Sequence, residues 1–243
     1  MTEIQRDAIV RGAVSPALCS AWLELIDEAH RRLAGDHSPD FVPESSSFRL
    51  RAVAEPSATD VWAALSDGAR DRCRALVGET IVIDADECWV RRQYPFGSMP
   101  SRHHSHAWHQ DGALRFDFAA HRDNPTPDEA LLPMATCWLT LTPCGVDAPG
   151  LELVTDRVDE LLRPGQLSEA AVDRHHPATT RTQPTFAAGD ALVFSGDVLH
   201  RTHITHAMTA TRTSVELRCF PMTAIPHRLR GDEFVAAPLS ATT

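Results

Sequence analysis

From residue 80 onward the chain is built of short apolar runs, each closed by Pro, Gly or Asp: ETIVIDADECWVRRQYP, LLPMATCWLTLTP, PGLELV, DALVFSG and TSVELRCF. They are rich in Val, Thr, Trp and Phe, which fit a pleated surface, and turn signals separate them. This texture predicts an antiparallel barrel or a double-sheet jelly roll. The first third reads differently. Ser15-Pro16 opens a helical pattern with Leu18, Trp22, Leu25, Ile26 and Ala29 on one face and Arg31, Arg32 and Gly35 at its end. A second helix is predicted from about Asp60 to Gly78. The expected fold is mainly β with flanking helices, in one domain: a mainly helical flank over 1–80, a jelly-roll core over 81–222 and a C-terminal tail over 223–243. A length of 243 residues suits a single all-β domain of this kind. The polar stretches 115–128 and 161–184 read as loops or short helices over one mouth of the sheets.

The net charge is −10, and all 23 basic residues are arginine. Without lysine there is no Schiff-base or P-loop lysine chemistry. The acidic balance argues against nucleic acid and anionic membranes as partners and leaves small molecules. Six cysteines are scattered with no CxxC pair, which favours free buried thiols in a reducing compartment. With no leader-like N-terminus and no 18-residue apolar run, the expectation is a cytoplasmic protein, monomeric or homodimeric.

The stretch RHHSHAWHQDGALRFDF, residues 102–118, holds four histidines and two aspartates. In extended chain, residues i and i+2 face the same side, so His109 and Asp111 can converge on one point, and so can His104 and His106. A third ligand is available downstream in GDALVFSGDVLHRTHITH, where His200 closes an apolar strand and His203 and His206 lie farther on. His109, Asp111 and His200 together make the 2-His-1-carboxylate pattern of non-heme Fe(II) oxygenases, which leaves coordination positions open. Such chemistry uses a 2-oxo acid whose far carboxylate suits the planar fork of an arginine. Arg212, which opens TRTSVELRCF, fits that role; Arg218, on the same strand face with Ser214 and Glu216, is its rival. An ion pair with Glu216 is the structural alternative for Arg212.

WHQDG, TCWLTLTPCGVDAPGLELV, GDALVFSGDVLHRT and RTSVELRCF together resemble the phytanoyl-CoA dioxygenase-like Fe(II)/2-oxoglutarate oxygenases, over roughly residues 88–221. The resemblance implies a double-stranded β-helix (jelly roll, cupin-like). It also implies Fe(II) on His109, Asp111 and His200, 2-oxoglutarate held at its distal carboxylate by Arg212 with Thr202 nearby, and O2 as the oxidant. The implied reaction decarboxylates 2-oxoglutarate to succinate and CO2 while hydroxylating, desaturating or cyclising a small molecule, as in specialised metabolism such as antibiotic biosynthesis. The return LVTDR departs from the family's usual Pro-Gly-Ser-His, and the spacing from His200 to Arg212 is one residue longer than its pattern.

Around this frame, Trp138 reads as core packing, with the cofactor pocket as the alternative. Arg91 and Gln93, on a strand before the HxD pair, are candidates for substrate and cofactor contact. Trp108 and Phe116 are candidates for packing against substrate, although aromatics flanking a strand are more often simply buried, while Arg115 and Asp117 read as loop charges with substrate contact as the alternative. His103, His104 and His106 read as a solvated or substrate-facing loop. Two other classes fit a metal-binding barrel: a cupin-like hydrolase working through metal-bound water, and a non-catalytic small-molecule binder. Arg212 discriminates against both, since neither needs a carboxylate clamp there.

Overall fold

The computed structural model of the chain describes residues 7–36, 38–115, 131–222 and 234–236. Its strands are β1 (Asp7–Val10), β2 (Phe41–Val42), β3 (Ser47–Arg49), β4 (Ile81–Asp84), β5 (Trp89–Gln93), β6 (His109–Gln110) and β7 (Ala135–Thr140), then β8 (Gly150–Val154), β9 (Arg181–Thr182), β10 (Ala191–Ser195), β11 (Leu199–His203), β12 (Arg212–Pro221) and β13 (Phe234–Ala236). Among the described residues, one antiparallel sheet runs β1-β10-β7-β12-β5-β3-β2, with β4 beside β12 and β13 beside β4. The second sheet runs β6-β11-β8-β9. The architecture is the expected double-stranded β-helix.

The helices are α1 (Pro16–Gly35), α2 (Ala58–Ala64), α3 (Asp67–Val77) and α4 (Glu169–His175). Ser15 caps α1 by accepting the Leu18 N–H, and Pro16 supplies a preset first turn. Cys19, Trp22, Ile26, Ala29 and Leu33 form its buried stripe. The single helix expected from Asp60 to Gly78 is instead two. A capping box between Ser57 and Asp60 starts α2, and Ser66 then caps α3 by accepting the Ala69 N–H. A serine side chain able to bond the backbone favours a new cap over continuation of the helix. α3 packs on β7, β10 and β12, so that Trp22, Trp62, Leu139, Val215 and Leu217 share one core on the outer face of the large sheet.

The mainly helical flank also contributes β1, β2 and β3 to the large sheet, and the region beyond 222 contributes β13, which pairs with β4. These strands are too short to show a clear alternation in sequence. All six cysteines are buried and unpaired.

β12 positions the site. Arg212 through Phe220 are all buried. Val215, Leu217 and Cys219 join the core under the helices. Strand alternation turns Arg212, Ser214, Glu216 and Arg218 to the interior between the sheets. Three charged side chains in that position are tolerable only with partners or a ligand.

Candidate metal centre and its cavity

His109 and His200 are ladder partners between β6 and β11. Asp111, just past β6, brings Oδ1 to 3.6 Å from His109 Nε2 and 3.9 Å from His200 Nε2. One ligand atom from each residue lies within 4.8 Å of the other two, the one such cluster among the described residues. Each imidazole has its other nitrogen committed: His109 Nδ1 donates to the Ala107 carbonyl (2.7 Å) and His200 Nδ1 to the Val198 carbonyl (2.9 Å). A carbonyl only accepts, so Nδ1 carries the proton and Nε2 presents its lone pair to the centre. Burial, reinforced by the neighbouring His200, lowers the His109 imidazole to about 4 and keeps it neutral at physiological pH. Burial alone would raise the Asp111 carboxyl, but the Arg218 guanidinium and the two imidazoles hold it far below the usual carboxylate range.

Local packing fixes this short segment. The Gln110 side chain donates to the Glu160 and Asp197 carbonyls (both 3.1 Å) and accepts the Leu162 N–H (2.9 Å). Gly112 donates its N–H to the Gly196 carbonyl at 2.6 Å, and a Cβ there would lie 2.9 Å from that same oxygen. The glycine of WHQDG is thus required by close backbone approach.

Asp111 uses its second oxygen differently. Oδ2 accepts from Thr136 Oγ1 (2.6 Å) and pairs with Arg218. Arg218 reaches on to Glu216 Oε2 (3.1 Å), Glu216 Oε1 accepts from Arg91 Nε (2.6 Å), and Arg91 donates to His106 Nε2 (2.7 Å). Burial would raise the Glu216 carboxyl, but Arg91 and Arg218 keep it low and ionised. The Arg91 cation, then burial, holds His106 well below the ordinary imidazole value, so it is neutral.

Arg212 contrasts with both other arginines. It is 1% exposed, donates one N–H to the Gly150 carbonyl (3.1 Å), lies over the Trp138 ring at 5.3 Å, and leaves Nε without a hydrogen-bond partner. No carboxylate among the described residues pairs with it, and burial lowers its pKa. A buried cation without a counter-charge is costly, and this one lines the same cavity as the His–Asp–His cluster. Glu216, the alternative partner expected for Arg212, is bonded to Arg91 and Arg218 instead, which also removes Arg218 as a free carboxylate anchor.

Other expected site residues divide. Thr202, Trp138 and Arg91 line the cavity. Gln93 is the ladder partner of Arg212, yet its amide donates to the Tyr94 carbonyl and does not reach the cavity wall. Trp108 is a correction: it lies on the opposite side from His109, in a cluster with Val158, Leu162 and Val172, its indole donating to Glu169 and its ring flanked by Arg181 and Arg201. Alternation along an extended segment puts neighbours of a ligand on the far face. The Arg115 side chain, Phe116 and Asp117 lie outside the described residues. His104 is exposed, while His103 is buried against Ser46 and Tyr94 rather than solvated, and His106 reaches the cavity; none of them, nor His203 and His206, belongs to the metal cluster. Thr136 was not foreseen, although it shares the alternating face of TCWLT with Trp138.

Fold and cluster together define a jelly-roll protein with a candidate facial 2-His-1-carboxylate metal centre. The sequence profile of the phytanoyl-CoA dioxygenase (PhyH) family matches residues 7–208, and the chain belongs to that family. A search of the curated proteins finds no match. Among solved structures, EctD from S. alaskensis with 2-oxoglutarate and 5-hydroxyectoine superposes with a TM-score of 0.65 at 15% identity, covering 91% of this chain and 74% of that one. SnoK, a non-heme alpha-ketoglutarate-dependent carbocyclase from nogalamycin biosynthesis, gives 0.59 at 13% identity, covering 97% and 93%. The epimerase SnoN, in complex with Fe3+, alpha-ketoglutarate and nogalamycin RO, gives 0.59 at 17%, covering 98% and 93%. No helix among the described residues is long and apolar enough to cross a membrane.

Proposed function

We propose that this protein is an Fe(II)/2-oxoglutarate-dependent oxygenase that hydroxylates, desaturates or oxidatively cyclises a small molecule in specialised metabolism. The observation that carries the reading is Arg212, a buried arginine without a carboxylate partner among the described residues, on the wall of the cavity that holds the His109–Asp111–His200 cluster. A dicarboxylate that binds a metal through its 2-oxo acid end and meets a guanidinium at its far end suits this layout. The solved structures named above, an alpha-ketoglutarate-dependent carbocyclase, EctD with 2-oxoglutarate and SnoN with Fe3+ and alpha-ketoglutarate, support the same reading.

The donor set fits iron. Nε2 of His109, Nε2 of His200 and Oδ1 of Asp111 would hold it on one face, with both imidazoles in the required tautomer. Bound iron with 2-oxoglutarate supplies oxygen activation, coupled to loss of CO2 and removal of hydrogen from a substrate C–H bond. The chain's own residues bind and orient. Arg212 fixes the far carboxylate of 2-oxoglutarate, Trp138 supports that guanidinium with its ring face, and Thr202 adds a hydroxyl beside them. Asp111 remains a carboxylate and His109 a neutral imidazole at physiological pH, so neither has to lose a proton before the metal binds. Free thiols throughout support a cytoplasmic setting.

Aerobic incubation with Fe(II), ascorbate and 2-oxoglutarate is expected to give succinate, slowly without substrate and faster with it. Absence of both 2-oxoglutarate binding and turnover in the metal-loaded protein would overturn the reading.

A further inference from the structure

We infer that Arg218 is a positioning residue that holds Asp111 as a one-oxygen ligand, keeping a coordination position free for the co-substrate. The inference rests on the oxygenase reading and concerns a residue whose hydrogen bonds go to Asp111, Thr136 and Glu216.

The geometry is specific to one oxygen of the carboxylate. Oδ1 alone faces the two Nε2 atoms. Oδ2 is taken by Thr136 Oγ1 at 2.6 Å and by the Arg218 guanidinium, and Arg218 also bonds Thr136 Oγ1 at 2.5 Å. Rotation of the carboxylate to chelate a metal with both oxygens would break these contacts in a buried site, where lost hydrogen bonds to charge are most costly. Arg218 is itself locked. Its second nitrogen bonds Glu216, which is fixed from the far side by Arg91, and Arg91 is held by its bond to His106. Asp111, Arg218, Glu216, Arg91 and His106 therefore form one chain of alternating contacts from the metal ligand to the cavity wall.

A second consequence is electrostatic. A guanidinium beside Asp111 repels a divalent cation and draws electron density from the carboxylate, so it weakens metal binding while it preserves the open position. Stability gives no reason for this arrangement, since a buried ion pair is often replaceable by apolar residues without loss. Opposite effects on metal and co-substrate are the signature that a merely structural residue would not give.

The test uses cobalt(II) as the metal probe, followed by its visible spectrum and by calorimetry, with 2-oxoglutarate added second. In Arg218→Gln, cobalt(II) is expected to bind several-fold more tightly than in wild type, with an altered visible spectrum. The affinity of the cobalt form for 2-oxoglutarate is expected to fall at least ten-fold. Arg218→Lys, which restores a cation near Oδ2, should return the wild-type spectrum and 2-oxoglutarate affinity to within a few-fold. Thr136→Val removes the other Oδ2 partner while leaving every charge in place, and should move both affinities in the same directions by less. It is the deciding variant if Arg218→Gln does not fold. Weakening of metal and 2-oxoglutarate together, or no change in either, in a folded variant overturns the inference. Failure of wild type to bind cobalt(II), or binding that survives His109→Ala, instead overturns the oxygenase reading beneath it.

Discussion

His109 and His200 stand directly opposite each other across the ladder between β6 and β11, with ring centres 4.2 Å apart. Neighbouring strands are about 4.8 Å apart, so any two residues in that relation and on the inner face present their ring nitrogens to the same point. The candidate metal centre is thus a property of sheet register. A one-residue slip of β11 would turn His200 away from the cavity and replace it with Leu199 or Arg201.

Replacing His109 or Asp111 by Ala should therefore abolish divalent metal binding, measured by calorimetry with Mn(II) or Co(II). His104→Ala and His106→Ala should retain it within a few-fold, since neither residue belongs to the cluster. Metal retained in the first pair, or lost in the second, would overturn the ligand assignment.

Arg212→Met should separate stability from function. Methionine of similar length removes a buried cation without a carboxylate partner, so the ligand-free protein is expected to gain stability, by about 1–3 kcal/mol. The same change removes the carboxylate clamp, and the 2-oxoglutarate requirement should rise at least about 100-fold, equivalent to roughly 3 kcal/mol. In thermal melts, metal-loaded wild type should be stabilised by 2-oxoglutarate and the variant should not. A variant that is both less stable and equally responsive to 2-oxoglutarate would refute the clamp.

The candidate His109–Asp111–His200 cluster and the place of Arg212 beside it were legible because each leaves a periodic mark: an HxD pair in extended chain, a histidine at a strand end, and alternate charges on a strand that is otherwise apolar. The jelly roll was legible from short runs bounded by turn residues. The rest depended on which strands meet. Glu216 was open to pairing with Arg212 by its position on one strand, and it pairs instead with Arg91 on β5 and with Arg218 two residues along. Trp108 is adjacent to a ligand in sequence yet is directed to the outer cluster with Val172 and Leu199. Thr136 matters only because β7 runs beside β12, a pairing between segments about 80 residues apart.

Gly112→Ala tests the close approach behind the HxD segment. The added methyl carbon would meet the Gly196 carbonyl at 2.9 Å and the Leu132 carbonyl at 3.1 Å, both backbone atoms that cannot swing aside. A loss of about 1–3 kcal/mol in chemical denaturation is expected. Metal affinity should fall as well, because Asp111 precedes the displaced residue. Wild-type stability with wild-type metal affinity would show that the loop yields freely.

Asp84, at the end of β4, is 3% exposed; its Oδ1 accepts the Asp86 N–H (2.9 Å), while Oδ2 has no hydrogen-bond partner. Burial raises its carboxyl from 3.8 to about 6. Between these values the folded protein keeps a proton that the unfolded chain has released, so this group's contribution falls as pH rises through that window. Above it the charged form costs about 3 kcal/mol. Asp84→Asn keeps an acceptor for Asp86 and removes the charge. The variant should melt roughly 6–12 °C above wild type at pH 7.5, and the difference should shrink toward zero by pH 4, where the wild-type carboxyl is protonated in the fold. A gain that is the same at both pH values would mean that side-chain packing, and not the buried charge, sets the effect.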